Sequence, residues 1–399
     1  MTRSKEFDVK ALLGGLLFPI IGFIYALIYP QRKGARTLMV VFFAFIGFCT
    51  LYENSGIDTN RIAEQFINAC NLDNISLFGW YKLQPESNQV DVYLTALSWI
   101  CSHLFSNPHL YLAIVVGLMG LALTSNFYFV YKRFHTNGIG LLLLILLILV
   151  PQAVYYPHRW WMAMQVFLLG ALPLVYDNSY KRIYFCLLAV FIHFSYIFLC
   201  VLLIAFISLP KKPLLPYLLV FYGSLIMSNF DFGSAIPFLE QVSDIQAIER
   251  TTMYMHEIEV DNNFLFKSSK IFFNIAKAIL FLVIYLQSEW STKHNKAFCF
   301  TLLFVSFAQF ASLNAVGYRF VDFGSFIVVI FFIYFLATNT TKGVDNWFKW
   351  LSPVFAYYII YQIRGILDCI SLQDFLMGNY ITMWFTDDNM SVLNYIKNL

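Results

Sequence analysis

Apolar stretches long enough to cross about 30 Å of hydrocarbon recur from Ala11 almost to the C-terminus, separated by short polar joints. Lipid offers the backbone no hydrogen-bonding partner, so stretches of this kind span it only as helices. The pattern predicts an all-α fold: a polytopic transmembrane helical bundle of about 10–12 spans, with residues 1–399 forming a single integral membrane domain. The spans fall near 12–29, 37–52, 110–131, 138–155, 160–176, 214–228, 270–287, 297–316, 321–338 and 351–369.

Lysine and arginine in the short joints set the orientation. QRKGAR (31–36), YKRFH (131–135), NSYKR (178–182), PKK (210–212) and TKHNK (292–296) are basic and go to the cytoplasm. The longer loops 53–90 and 229–269, with 155–159 and 317–322, lack clustered lysine and become extracytoplasmic. The first run, 12–29, is read as a retained span bent at Pro19, which leaves Arg3, Lys5 and Lys10 outside, partly balanced by Glu6 and Asp8.

Two stretches resist this scheme. Residues 91–105 open on Asp91 and are short, and a full crossing there would put YKRFH on the wrong side, so an interfacial or re-entrant helix is expected. Residues 183–208 read as one long helix by hydropathy, yet basic joints flank both ends. A broken or re-entrant helix pair meeting at His193-Phe194-Ser195 satisfies the charge rule, each arm reaching about 17–20 Å; one straight span is the alternative.

Composition narrows the class. Only 12% of residues are charged and 59% are hydrophobic, whereas a soluble domain carries roughly 25% charged residues. Aromatic residues gather at run ends (Tyr155, Tyr156, Trp160, Trp161, Trp347, Trp350), as in interfacial belts. The seven cysteines are scattered, so neither a disulfide framework nor a zinc site is expected. No basic aromatic patch is arranged for nucleic acid.

Under this orientation the polar residues that look out of place converge on the outer face: Asp58, Arg61, Asp91, Arg159, His193, Glu249, Arg250 and Arg319. Arg159, in YYPHRWW, is either a snorkelling helix-end anchor or a bidentate donor for a phosphate. His193 lies inside an apolar run, where an ionisable group marks a site; a hydrogen-bonded core histidine is the plainer alternative. Its ordinary pKa of about 6.5 suits general acid or base work. Arg319 precedes Asp322 by one helical turn, which fits a salt bridge as well as a site, and Glu249 with Arg250 reads equally as a solvated pair. Asp231-Phe232-Gly233 lacks any kinase context, and no glycine-rich phosphate loop, HExxH or GxSxG is present. Nucleotide hydrolysis and metalloproteolysis lose support, and no metal or cofactor is expected.

Five segments in fixed order resemble the EpsG-like branch of bacterial Wzy-type polysaccharide polymerases: GIDTNR (56–61), HRWWMAMQVFLLGA (158–171), YKRIYF (180–185), LAVFIHFSYIFL (188–199) and GYRFVDFGSF (317–326). Two positions depart from the family pattern. Thr59 stands where a tyrosine commonly follows the aspartate, and Trp160 where a glutamine usually sits beside the arginine, which bears on sugar specificity and donor contacts.

The resemblance implies a multi-pass enzyme of the bacterial inner membrane, similar in fold to lipid-carrier-dependent (GT-C-like) glycosyltransferases. It implies joining of undecaprenyl-pyrophosphate-linked oligosaccharide repeat units on the extracytoplasmic side, with a flippase and a chain-length regulator as pathway partners. The departing diphosphate needs cations, for which Arg159 and Arg319, with Arg250 or Arg61, are the candidates. His193 or Asp58 is the candidate base for the acceptor hydroxyl. Two rival readings are a flippase or transporter of the same lipid-linked sugar, marked by inverted repeats or paired broken helices, and a membrane acyltransferase using His193, for which no donor motif is present.

Overall fold

The computed structural model describes residues 9–51, 57–72, 75–83, 92–134, 158–209, 212–229, 264–312, 319–339 and 344–367, together with 371, 378, 379 and 381. Regular structure among the described residues is helical, in sixteen helices. The chain divides into two compact units, the first comprising residues 1–129, 148–200 and 362–399, the second 130–147 and 201–361.

In the first unit the opening apolar run is two helices, α1 (Val9–Leu17) and α2 (Pro19–Ile28). Pro19 disfavours helical backbone at the residue before it, and Phe18 is accordingly extended at φ −131° and ψ 80°. The chain reverses there. A Cβ on Gly22 would lie 2.5 Å from the Gly15 Cα, whereas residues seven apart in a straight helix stand about 10.5 Å apart. The single bent span expected over 12–29 is therefore corrected to a helical hairpin, closed where two glycines let the backbones touch.

The hairpin packs on α3 (Ala35–Phe48). Within the stretch read as an outer loop, α4 (Ile57–Cys70) and α5 (Leu77–Leu83) form, followed by α6 (Tyr93–Ser102), which is too short for a full crossing. α4 is amphipathic: Ile62 and Phe66, one turn apart, join Leu94 and Cys101 of α6 in a buried cluster with Tyr111, Leu112 and Val115 of α7 (Pro108–Arg133). Trp80 of α5 donates its indole N–H to Ser98 Oγ of α6 at 3.1 Å. α8 (His158–Tyr176) is tied to α7 by the Asn126 amide, which donates to both the backbone oxygen and Oε1 of Gln165, each at 2.9 Å.

α8 also packs closely on α9 (Tyr184–Ile192), where a Cβ at Gly170 would lie 2.6 Å from Cys186 Sγ and 2.8 Å from the Arg182 carbonyl oxygen. α9 ends at His193, whose backbone is extended at φ −150° and ψ 115°, and α10 (Tyr196–Ser208) follows. Cys200 Sγ donates to the Cys186 carbonyl oxygen at 3.0 Å. One straight helix would hold residues fourteen apart at about 21 Å, so the run 183–208 is a broken pair that folds back on itself.

The second unit contains α11 (Leu214–Asn229), α12 (Phe264–Leu286), α13 (Ser288–Lys293), α14 (Asn295–Ala311), α15 (Arg319–Thr338) and, as far as Tyr361, α16 (Val344–Leu367). Its core is aromatic. Phe281 of α12 meets Phe221 of α11 at 4.9 Å, Phe298 of α14 at 5.8 Å, and Phe331 and Phe332 of α15 at 5.8 and 5.6 Å. α7 and α15 are long and apolar enough to cross a membrane, and α2, α3, α10, α11, α12 and α14 contain shorter apolar segments. The expected span 138–155 and most of loop 229–269 lie outside the described residues.

Candidate functional site

His193 is held from both sides of the helix break. Its amide donates to the Ala189 carbonyl at 2.9 Å, ending α9, and its carbonyl accepts from the Tyr196 amide at 3.1 Å, starting α10. Its ring Nδ1 receives the Ser195 amide at 3.3 Å and lies 2.8 Å from Ser195 Oγ. An amide can only donate, so Nδ1 is the acceptor, and the neutral ring carries its proton on Nε2. The imidazole is half-buried and meets the buried Tyr196 ring edge-on, at 6.5 Å between centroids.

Tyr196 connects this break to the arginine of α8. The Trp160 indole, also buried, stands 5.7 Å from the Tyr196 ring and packs perpendicular to Trp161 at 5.2 Å. Arg159, the residue before Trp160, is half-buried on the first turn of α8. The first unit thus brings the Arg159 end of α8 and the His193 break to one place, with Trp160 and Tyr196 between them. Trp160 is the residue that fills this junction.

Arg159 also lies within electrostatic reach of Tyr111 on α7. The Tyr111 ring stacks on Phe66 of α4 at 4.5 Å, and its hydroxyl donates to the Leu94 carbonyl of α6 at 3.4 Å. Asp58 and Arg61 belong to the first two turns of that same α4, and Arg61 is exposed.

Arg319 belongs to the second unit, where it is the first residue of α15 and half-buried; Asp322, one turn on, is buried. Arg250, with Asp91 and Glu249, lies outside the described residues. One interior charge had no place among the expected site residues. Lys277 of α12 is 2% exposed, and its ammonium lies 5.0 Å from the Phe273 ring centroid. Its signal in the sequence was as plain as that of His193: a lone ionisable residue inside NIAKAILFL (274–282).

No curated protein and no solved structure matches the chain. The model of the EpsG family matches residues 35–380, a stretch that includes every described residue of the candidate site. With its run of apolar helices, the match makes this a membrane protein. Spanning most of its length, it shows that the chain belongs to the EpsG family of Wzy-type polysaccharide polymerases.

Proposed function

We propose that this polymerase joins oligosaccharide repeat units carried on undecaprenyl pyrophosphate, on the extracytoplasmic side of the bacterial inner membrane, yielding a surface or exported polysaccharide. The observation that carries this reading is the junction of Arg159 and His193 through Trp160 and Tyr196, which pairs a guanidinium with an N–H-bearing imidazole beside a broken helix. Irregular backbone at membrane depth is tolerated where protein buries it or it lines a cavity. The fold is read as akin to the GT-C-like glycosyltransferases, with α9 and α10 entering from the cytoplasmic face and His193 at the outer tip.

In the proposed reaction an acceptor sugar hydroxyl attacks the anomeric carbon of the donor. The new C–O bond forms as the bond to the diphosphate breaks, and the diphosphate leaves with the electron pair. Arg159 and the Nε2–H of His193 stabilise its developing charge, with Arg319, Arg250 and Arg61 as further cations. The Asp58 carboxylate takes the proton lost by the attacking hydroxyl. A good leaving group asks little of the base, so positioning contributes most of the acceleration.

The test is genetic. Cells carrying Arg159→Ala or His193→Ala at normal protein level should accumulate single repeat units on the lipid carrier, facing outward, and lose long chains. Normal chain length in both variants overturns the proposal. Lipid-linked units trapped on the cytoplasmic face would instead mark a flippase. The second break, at Phe18 between α1 and α2, lies in the same unit as the break at His193, so it does not favour the two-halved repeat architecture of a transporter.

A further inference from the structure

Lys277 lies near the middle of α12, and its neighbours one turn away on either side fix the direction it faces. Phe273 stacks on Tyr358 of α16 at 4.3 Å and meets Phe355 edge-on at 5.8 Å. Phe281 touches rings from α11, α14 and α15. Residues four apart share a helix face, so Lys277, bracketed by these two, points into the second unit rather than towards lipid. Its 2% exposure agrees.

The ammonium there is poorly matched. Among the described residues the Phe273 ring faces it, and no carboxylate or carbonyl bonds to it. A cation–π contact recovers only part of the hydration that a buried ammonium loses. A second group in the same unit is also half-satisfied. The Ser224 hydroxyl is shared between the Phe221 carbonyl at 2.8 Å and Gln309 Oε1 at 2.6 Å, and the other end of that amide, Nε2, is buried with no hydrogen-bond partner. Among the described residues the second unit therefore holds two separate buried and unmatched N–H donors, Lys277 on α12 and Gln309 on α14, and a buried cation of this kind suits an acceptor-rich anion.

We propose that Lys277 is the anchoring cation of an anion-binding site inside the second unit, taking an oxyanion of the phosphate class. The ligand's source, a prenyl diphosphate rather than free phosphate, rests on the polymerase reading given above; the site itself does not.

The purified full chain in detergent tests it by thermal shift, with inorganic pyrophosphate and geranyl diphosphate as probes. Both should raise the melting temperature of the unmodified chain. Lys277→Met should weaken the apparent affinity at least ten-fold, while its ligand-free melting temperature stays equal or rises, because apolar replacement of a buried charge is neutral to stabilising. Lys277→Arg should keep the shift. Should Lys277→Met fold poorly, Lys277→Gln serves in its place with the same expected loss. Saturation by geranyl diphosphate at far lower concentration than pyrophosphate assigns the lipid carrier; equal saturation assigns free phosphates. A full shift in the methionine or glutamine variant overturns the site, as does an unmodified chain that responds to neither probe. Normal polysaccharide length in the Arg159 and His193 variants would remove the polymerase reading while leaving this binding result standing.

Discussion

Ser195 Oγ lies 2.8 Å from His193 Nδ1, and the Ser195 amide approaches the same nitrogen at 3.3 Å. The serine two residues past the histidine therefore orients the ring and dictates which nitrogen holds the proton. In the proposed mechanism Ser195 acts through His193, as a positioning residue. Ser195→Ala should slow polymer synthesis about ten-fold, the worth of one well-placed hydrogen bond. Ser195→Thr should restore most of it, and His193→Ala should cost roughly 10²–10⁴-fold. The measurement is polymer formed per unit time on lipid-linked repeat units. Equal losses in Ser195→Ala and His193→Ala would argue that the serine supports the fold and not the ring.

Trp160 should prove structural as well as local to the site. Replacing it with glutamine removes a buried indole that packs against Tyr196 and Trp161. The loss should approach that of other buried aromatic truncations, about 3 kcal/mol, read as a lower melting temperature in detergent. Trp160→Phe should lose less. An unchanged melting temperature in the glutamine variant would mean that the helix break is held by other contacts.

The α8–α9 contact is sensitive to a single methyl group. Gly170→Ala forces a Cβ against Cys186 Sγ and the Arg182 carbonyl and should destabilise by about 1–3 kcal/mol. Gly223→Ala in α11 is the matched control: nothing lies within 4 Å of its would-be Cβ, and alanine's better helix propensity should leave stability equal or slightly higher. Thermal unfolding of the two variants side by side decides the matter.

His294 makes stability depend on pH. It joins α13 to α14, stacks on Trp290 at 4.6 Å and pairs through Nδ1 with the Tyr334 hydroxyl. Burial, and after it the neighbouring Lys293, hold its pKa below the ordinary imidazole value. The folded chain then binds fewer protons here than the unfolded chain, so stability rises with pH across the interval between the two pKa values. The contribution is complete above the unfolded value of about 6.5 and is lost as pH falls through the lower, folded value. The melting temperature should decline on acidification below about 6.5, and His294→Gln should flatten that decline.

Much of this architecture was readable from hydropathy and loop charge. The break at His193 was reached through charge alone: IHFSY contains neither proline nor glycine, so local propensity gave no warning, and the lysines on both sides of 183–208 supplied the reason. The reversal at Phe18 carried the opposite evidence. Pro19 and its flanking glycines were in view, but hydropathy averaged over a window runs straight through a turn made of apolar residues. α4 was hidden for another reason, since it buries only the stripe through Ile62 and Phe66 and looks polar elsewhere. At the site, loop charge placed Arg159 and His193 on one side only as an expectation, and the Trp160–Tyr196 bridge depends on tertiary packing that no spacing in the chain encodes. Lys277 lacks the forked donor geometry by which arginine marks a phosphate ligand in sequence, and its burial is a product of the fold.

The turn between α1 and α2 also bears on how the protein is inserted as it is made. Under the orientation proposed above, two arms that return to the face they left carry nothing across, and α3, flanked by the basic QRKGAR, is the next segment to enter the bilayer. Lys10 then starts on the same side as that basic joint, and the charge conflict of a straight first span disappears. A reporter placed ahead of α1 and another within 31–36 should both register the cytoplasm; opposite compartments would show that the hairpin opens into a crossing.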